Sequence, residues 1–145
     1  MIQQDEWRDL PPDDWPWPNF SPRELAERSE GWEEGRSPLL TSPDLMNRLQ
    51  ALRDTLGFPL FVTSGYRSPR YNAAVSSTGL NGPHTTGFAV DISISGEDAF
   101  SLLKAALSME FTGIGVQQKG PHGRRFIHLD CLPRSRALRP WVWSY

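Results

Sequence analysis

The chain has 145 residues, a formal charge of −2 and 38% hydrophobic residues, which fits one compact globular domain. No apolar run approaches the roughly 20 residues of a membrane span. A single cysteine, Cys131, excludes an internal disulfide framework and a cysteine-based metal cluster.

The segment from Met1 to Trp7 lacks the basic and apolar regions of a secretory signal, so a soluble domain made in the cytoplasm is expected. Residues 1–19 read as an irregular Pro/Trp-rich arm, because Pro11, Pro12, Pro16 and Pro18 are incompatible with a helix. Its tryptophans are expected to lie on the body of the domain. The domain proper spans residues 20–145. Ser21, Pro22 and Glu24 form a capping box that starts a helix, with Phe20 and Leu25 as its apolar staple and Gly31 near its end. Ser42 and Pro43 open a second helix whose Leu45, Leu49, Leu52 and Leu56 share one face, with Gly57 as the stop.

Leu60 to Thr63 then reads as a strand, and Ser68-Pro69 opens a short helix reaching Val75. Residues 76–83 have loop composition. From Phe88 to Ile94 the chain alternates, with Asp91 on the face opposite Val90 and Ile92. A helix capped by Ser95 follows to about Met109, with Phe100, Leu103 and Leu107 directed inward. Gly113 to Gln118 and Arg125 to Leu132 predict two strands around a turn at residues 119–123. The fold class is α+β: helices first, then a small antiparallel sheet with the helices packed on one side.

Charge is unevenly placed. Residues 1–34 carry ten acids and three arginines, and residues 111–145 carry six bases and one acid. Two solvated faces that attract one another account for this. A basic surface for an anionic polymer is the competing reading, but the chain has no nucleic-acid-binding signature, and no nucleic-acid partner is expected.

Three histidines carry the candidate chemistry. His128 and Asp130 share one face of their strand, and Asp91 points away from the apolar face of its own. If the two strands are neighbours, Asp91 and His128 converge, and the loop holding His84 can reach them. Two imidazoles and one carboxylate with an open position suit catalytic zinc. Ordinary packed or polar histidines are the alternative.

The wording of these segments goes further. Ser64-Gly65-Tyr66-Arg67-Ser68-Pro69, then Asn72, His84-x-x-Gly87-x-Ala89-x-Asp91, Gly113-x-Gly115 and Phe126-x-His128-x-Asp130 follow in one order. Together they resemble the M15 family of zinc D-Ala-D-Ala carboxypeptidases and related peptidoglycan endopeptidases, over about residues 19–143. The resemblance implies a hedgehog/D-Ala-D-Ala-peptidase-like fold and zinc held by His84, Asp91 and His128. It implies substrate binding by Arg67 and Tyr66, although Tyr66 and Asn72 are read first as residues that fix the loop. Asp130 either activates the attacking water or orients His128, and orienting is favoured.

Three positions depart from the family pattern: Gly82 where a serine is usual, Phe88 between Gly87 and Ala89, and Arg125 where several members carry an acid. His122 is either a solvent-facing turn residue or an acid/base at the cleft rim. The expected function is a monomeric zinc metallopeptidase acting on peptidoglycan stem peptides, by carboxypeptidase or endopeptidase cleavage. Without a secretion signal it fits a phage endolysin or an enzyme exported by another route. The alternatives are a zinc-bearing domain that binds without hydrolysing, and a phage structural protein.

Overall fold

A computed structural model describes residues 1–3, 14–33 and 36–145. The proline pair Pro11-Pro12 and Trp7 of the arm lie outside the described residues. The elements are β1 (Ile2–Gln3), α1 (Pro22–Leu25), β2 (Leu40–Thr41), α2 (Pro43–Leu56), β3 (Phe61–Ser64), α3 (Pro69–Val75), β4 (Ala89–Ser93), α4 (Gly96–Ser108), β5 (Gly113–Gln117), β6 (Phe126–Asp130) and β7 (Trp141–Ser144). Among the described residues, short 3₁₀ turns lie at 79–81, 83–86 and 122–124.

The main sheet has five strands in the order β3-β4-β6-β5-β7. It is antiparallel except for the β5–β7 pair, which is parallel. Its apolar face carries Val62, Val90, Ile92, Ile114, Ile127 and Leu129, all buried. Register pairs them across strands: Val90 faces Leu129, and Ile92 faces Ile127. The two long helices cover this face. In α2, Leu45, Met46, Leu49 and Leu52 are buried, and burying each such side chain is worth about 1.5–3 kcal/mol. The opposite face of the sheet is left for the polar residues.

The helix grammar holds for α2, where Ser42 Oγ accepts from Asp44 N and Gly57 ends the helix at φ 73°. It holds less well elsewhere. The Ser21–Glu24 capping box forms, but α1 stops at Leu25 rather than near Gly31. Here tertiary bonds win: Leu25 O accepts from Tyr66 N at 2.7 Å, and Glu27 N donates to Pro38 O at 2.8 Å. In α4 the buried residues are Ala99, Leu102 and Ala106, whereas Phe100 and Leu107 are exposed. The small Ala99 and Ala106 face the core there, and the larger Phe100 and Leu107 face outward. Ser95 makes no side-chain cap bond.

The start of the chain is tied in, since Ile2 and Gln3 pair with Thr41 and Leu40. Trp17 is buried and its Nε1 donates to Asn47 Oδ1 at 2.9 Å, while Trp15 packs edge-on against it. These two tryptophans lie on the body of the domain, as expected. Among the described residues no helix is long and apolar enough to cross a membrane.

Candidate metal centre

Strand alternation sets the floor of the site. Asp91 on β4 lies directly opposite His128 on β6, and His128 lies opposite Gly115 on β5. Two residues further along β6, Asp130 faces Gly113. A Cβ at Gly113 would collide with the Asp130 carboxylate, and one at Gly115 would come within 2.6 Å of the Trp143 indole. The two glycines therefore leave the room that these side chains occupy.

His84 arrives from the 3₁₀ turn that begins at Pro83. Its Nδ1 lies 2.7 Å from Gly65 O, and its Nε2 lies 3.2 Å from Asp91 Oδ1. A carbonyl only accepts, so Nδ1 carries the proton and the Nε2 lone pair is aimed at Asp91. His128 is arranged the other way round. Its Nε2 lies 3.0 Å from Asp130 Oδ2 and its Nδ1 lies 2.9 Å from Asp91 Oδ1.

One ligand atom from each of His84, Asp91 and His128 falls within 4.8 Å of the others, and all three residues are buried. The nitrogens left free by Gly65 and Asp130 are the ones that converge, which is how metal-binding histidines are oriented. Two imidazoles and a carboxylate with no thiolate fit zinc.

Charges reinforce the arrangement. Burial alone would raise the Asp91 pKa, but the His128 and His84 rings beside it outweigh that and hold the carboxyl well below the usual range. Burial also opposes ionisation of Asp130, yet its bonds to His128 and Arg139 hold it at about 2. For His128, burial disfavours the charged ring, and the bonds to Asp130 and Asp91 overcome that and push its pKa up.

Arg67 stands beside this set. Its Nε donates to Ser64 Oγ at 2.9 Å, Nη1 to Asn72 Oδ1 at 3.2 Å and Nη2 to Asp91 Oδ2 at 3.3 Å. Of the five guanidinium N–H groups, two are left for a ligand. Asn72 is fully buried and passes the restraint on, donating to Thr78 Oγ1 at 2.9 Å and Gly79 O at 2.6 Å. The loop that holds Arg67 is itself fastened by Glu27, whose carboxylate accepts from Ser68 N. Gly82 has no room for the serine usual in the family, because a Cβ there would strike Thr78 and Asn72.

These residues open onto a cleft of about 440 Å³. Arg67, His84, Asp91 and His128 line its floor, Ser76, Ser77 and Thr78 one wall, and Phe126, Trp143 and Tyr145 the other. Tyr66 and His122 are not among the lining residues. Tyr66 is half-buried, with its backbone bonded to Leu25, and His122 is exposed in the 122–124 turn. Asp130 is brought to His128 but is wholly enclosed. Arg125, at the position where an acid was awaited, bonds Gly120 O at 2.9 Å and supports the turn.

Trp143, Tyr145 and Arg139 were not anticipated as site residues. The aromatics at 141, 143 and 145 alternate like a strand, and that signal predicts β7. No local pattern points to Arg139.

An α+β fold with a buried His–Asp–His set at the base of an open cleft defines a candidate metal-dependent enzyme. The chain belongs to the peptidase M15 family, whose model matches residues 18–130. It is 32% identical over 118 residues to the peptidoglycan L,D-endopeptidase MepK of Escherichia coli strain K12. The proteins of that name from E. coli O157:H7 and Shigella flexneri match equally. The alignment covers 76% of this chain and 63% of each relative, so the chain spans less than two thirds of their length.

Proposed function

We propose that this protein is a zinc-dependent peptidase that hydrolyses peptide bonds in peptidoglycan stem peptides or their crosslinks. The observation that carries this reading is the convergence of His84 Nε2, Asp91 and His128 Nδ1 on one point at the floor of an open cleft. The similarity to proteins named as peptidoglycan L,D-endopeptidases favours endopeptidase over carboxypeptidase cleavage. An endolysin role is one setting for the same chemistry.

His84, Asp91 and His128 would hold the ion. When bound, zinc supplies Lewis acidity, polarising the scissile carbonyl and making water a competent nucleophile near neutral pH. The chain's own residues do the rest. Arg67 directs its two remaining N–H groups at a carboxylate or carbonyl oxygen of the stem peptide, with its plane locked by Ser64, Asn72 and Asp91. Tyr66 supports that loop from outside the cleft. Asp130 holds the His128 ring through Nε2 and is too enclosed to take a proton from water.

Asp91 is the one carboxylate among the described cleft-lining residues. Tyr145 on the aromatic wall offers a hydrogen-bond donor rather than a base. Burial pushes its phenol pKa up, so the hydroxyl stays protonated and can donate to the oxygen that gains charge.

The same shortage of a free carboxylate favours a second reading, a zinc-bearing domain that binds stem peptides without cleaving them. Digestion of purified sacculi by zinc-loaded and chelated protein, followed by mass spectrometry of the products, separates the two. New amino and carboxyl termini released only with metal establish hydrolysis and identify the bond. Retention on sacculi with no new termini supports the binding domain.

A further inference from the structure

Ten residues separate β6 from β7, and the connection ends in a contact that no sequence pattern announces. Arg139 turns back to the sheet and grips Asp130 with two parallel bonds, Nε to Oδ1 at 2.9 Å and Nη2 to Oδ2 at 2.6 Å. The Asp130 side chain has no exposed surface, and that of Arg139 has 9%. The backbone N–H of Leu132 adds a third bond to Oδ1, at 3.2 Å. On its far side the same carboxylate faces His128 Nε2 at 3.0 Å. The guanidinium also lies over the Trp143 ring, 5.3 Å from its centroid.

We infer that Arg139 is a positioning residue of the metal centre, fixing the orientation and tautomer of His128 through Asp130. This rests on the reading of His84, Asp91 and His128 as zinc ligands. The argument is geometric. A carboxylate bonded only to an imidazole can rotate about its side-chain torsions and carry the ring with it. A guanidinium fork defines both oxygens and the plane at once. With Oδ2 pinned, it accepts from Nε2–H, so the proton resides on Nε2 and Nδ1 is left as the ligand atom facing Asp91.

Gly113 completes the device, since any side chain there would displace the carboxylate from its two partners. A residue that merely closed the β6–β7 connection would need one of these bonds, not an oriented pair on the carboxylate behind a metal-ligand histidine.

The test compares the wild-type protein with Asp130→Asn, Arg139→Gln, Arg139→Lys and the Arg139→Gln/Asp130→Asn double variant. Zinc affinity is measured by competition with a chelating dye, and melting temperature is recorded on the metal-free forms. Arg139→Gln is expected to weaken zinc binding by about 10–100-fold, the usual effect of altering the partner behind a metal ligand. Arg139→Lys should recover part of this loss, because it keeps a charge beside Asp130 but not the fork.

The two residues act in series, so the double variant should bind zinc within about threefold of Asp130→Asn alone, where independent effects would multiply. If Arg139→Gln leaves Asp130 uncompensated and fails to fold, the double variant removes that charge and the same comparison stands. Wild-type affinity in Arg139→Gln with a lowered melting point would assign Arg139 to structure alone and overturn the inference. A double variant much weaker than Asp130→Asn would overturn it too. Wild-type protein that binds no zinc would instead remove the metal reading, and the inference would go with it.

Discussion

Asp91 Oδ1 lies 2.9 Å from His128 Nδ1 across the β4–β6 register, and it meets His84 Nε2 at 3.2 Å from the other side. One carboxylate oxygen thus joins a sheet histidine to a loop histidine. Gly65 O and Asp130 hold the far nitrogens of the two rings.

Replacing either ring tests the ligand set. His84→Ala and His128→Ala should each abolish stoichiometric zinc, measured by elemental analysis after dialysis. Stoichiometric metal in the double variant would rule out this centre. Chelation of the wild type should remove activity completely. It should lower the melting temperature only in part, since ligand linkage is worth about 3–4 kcal/mol when zinc is a few hundred- to a thousandfold above its Kd.

Arg67→Lys is expected to act on two observables. The planar fork bonded to Ser64, Asn72 and Asp91 is lost, so the melting temperature should fall. The specificity constant should fall by roughly 10–150-fold, corresponding to the loss of a charged hydrogen bond worth about 1.5–3 kcal/mol. A lower melting point with unchanged activity per folded molecule would remove Arg67 from substrate binding.

Tyr145→Phe removes one hydroxyl and leaves the aromatic wall in place. It should lower kcat by about a hundredfold, the scale for loss of one donor to a developing negative charge, with KM and zinc content unchanged. Unchanged kcat would remove Tyr145 from stabilisation of the developing charge.

The metal-free protein should have a stability optimum in mildly acidic solution. Asp130 titrates at about 2 and Asp91 also lies below its ordinary value. Their contribution is fully present above about pH 4 and is lost as the pH falls through the folded values. His128 is shifted upward, so its contribution is present below about pH 6.5 and is lost as the pH rises through its raised value. Melting temperatures across pH 2–9 in chelator should therefore peak between about pH 4 and 6.5. Asp130→Asn should flatten the acid side.

Gly113→Ala puts a methyl group into the Asp130 carboxylate. Overpacking of this kind costs about 1–3 kcal/mol. The variant should melt lower by an amount that equilibrium unfolding can measure, and it should bind zinc more weakly than wild type.

Much of this fold is legible because its signals are local. Ser42, Pro43 and Gly57 mark α2 from end to end, and strict alternation identifies β4 and β6 and puts Asp91, His128 and Asp130 on the polar face. The candidate ligand set of His84, Asp91 and His128 can be assembled from those two strands and one loop. Where the reading fails, a distant partner decides. Helix α1 stops because Tyr66, 41 residues from Leu25, takes its carbonyl. On α4 the size of Phe100 and Leu107 points to the wrong inward face, since Ala99, Leu102 and Ala106 are the buried residues. Arg139 looks like any surface arginine of a basic segment until the β6–β7 connection folds back onto Asp130.

Strand β7 has consequences for motion as well as for shape. Among the described residues it is an edge strand with β5 as its one partner, and two of the five β5 residues are glycines. Edge strands of this kind open locally at lower free energy than central ones. Trp143 and Tyr145 travel with it, whereas the facing wall is braced through Thr78, Asn72 and Arg67. The cleft thus has one wall carried on an edge strand and one braced by a hydrogen-bond relay, so local opening of β7 would widen it from one side. Faster amide exchange at residues 142–145 than in β4 and β6 would be its signature.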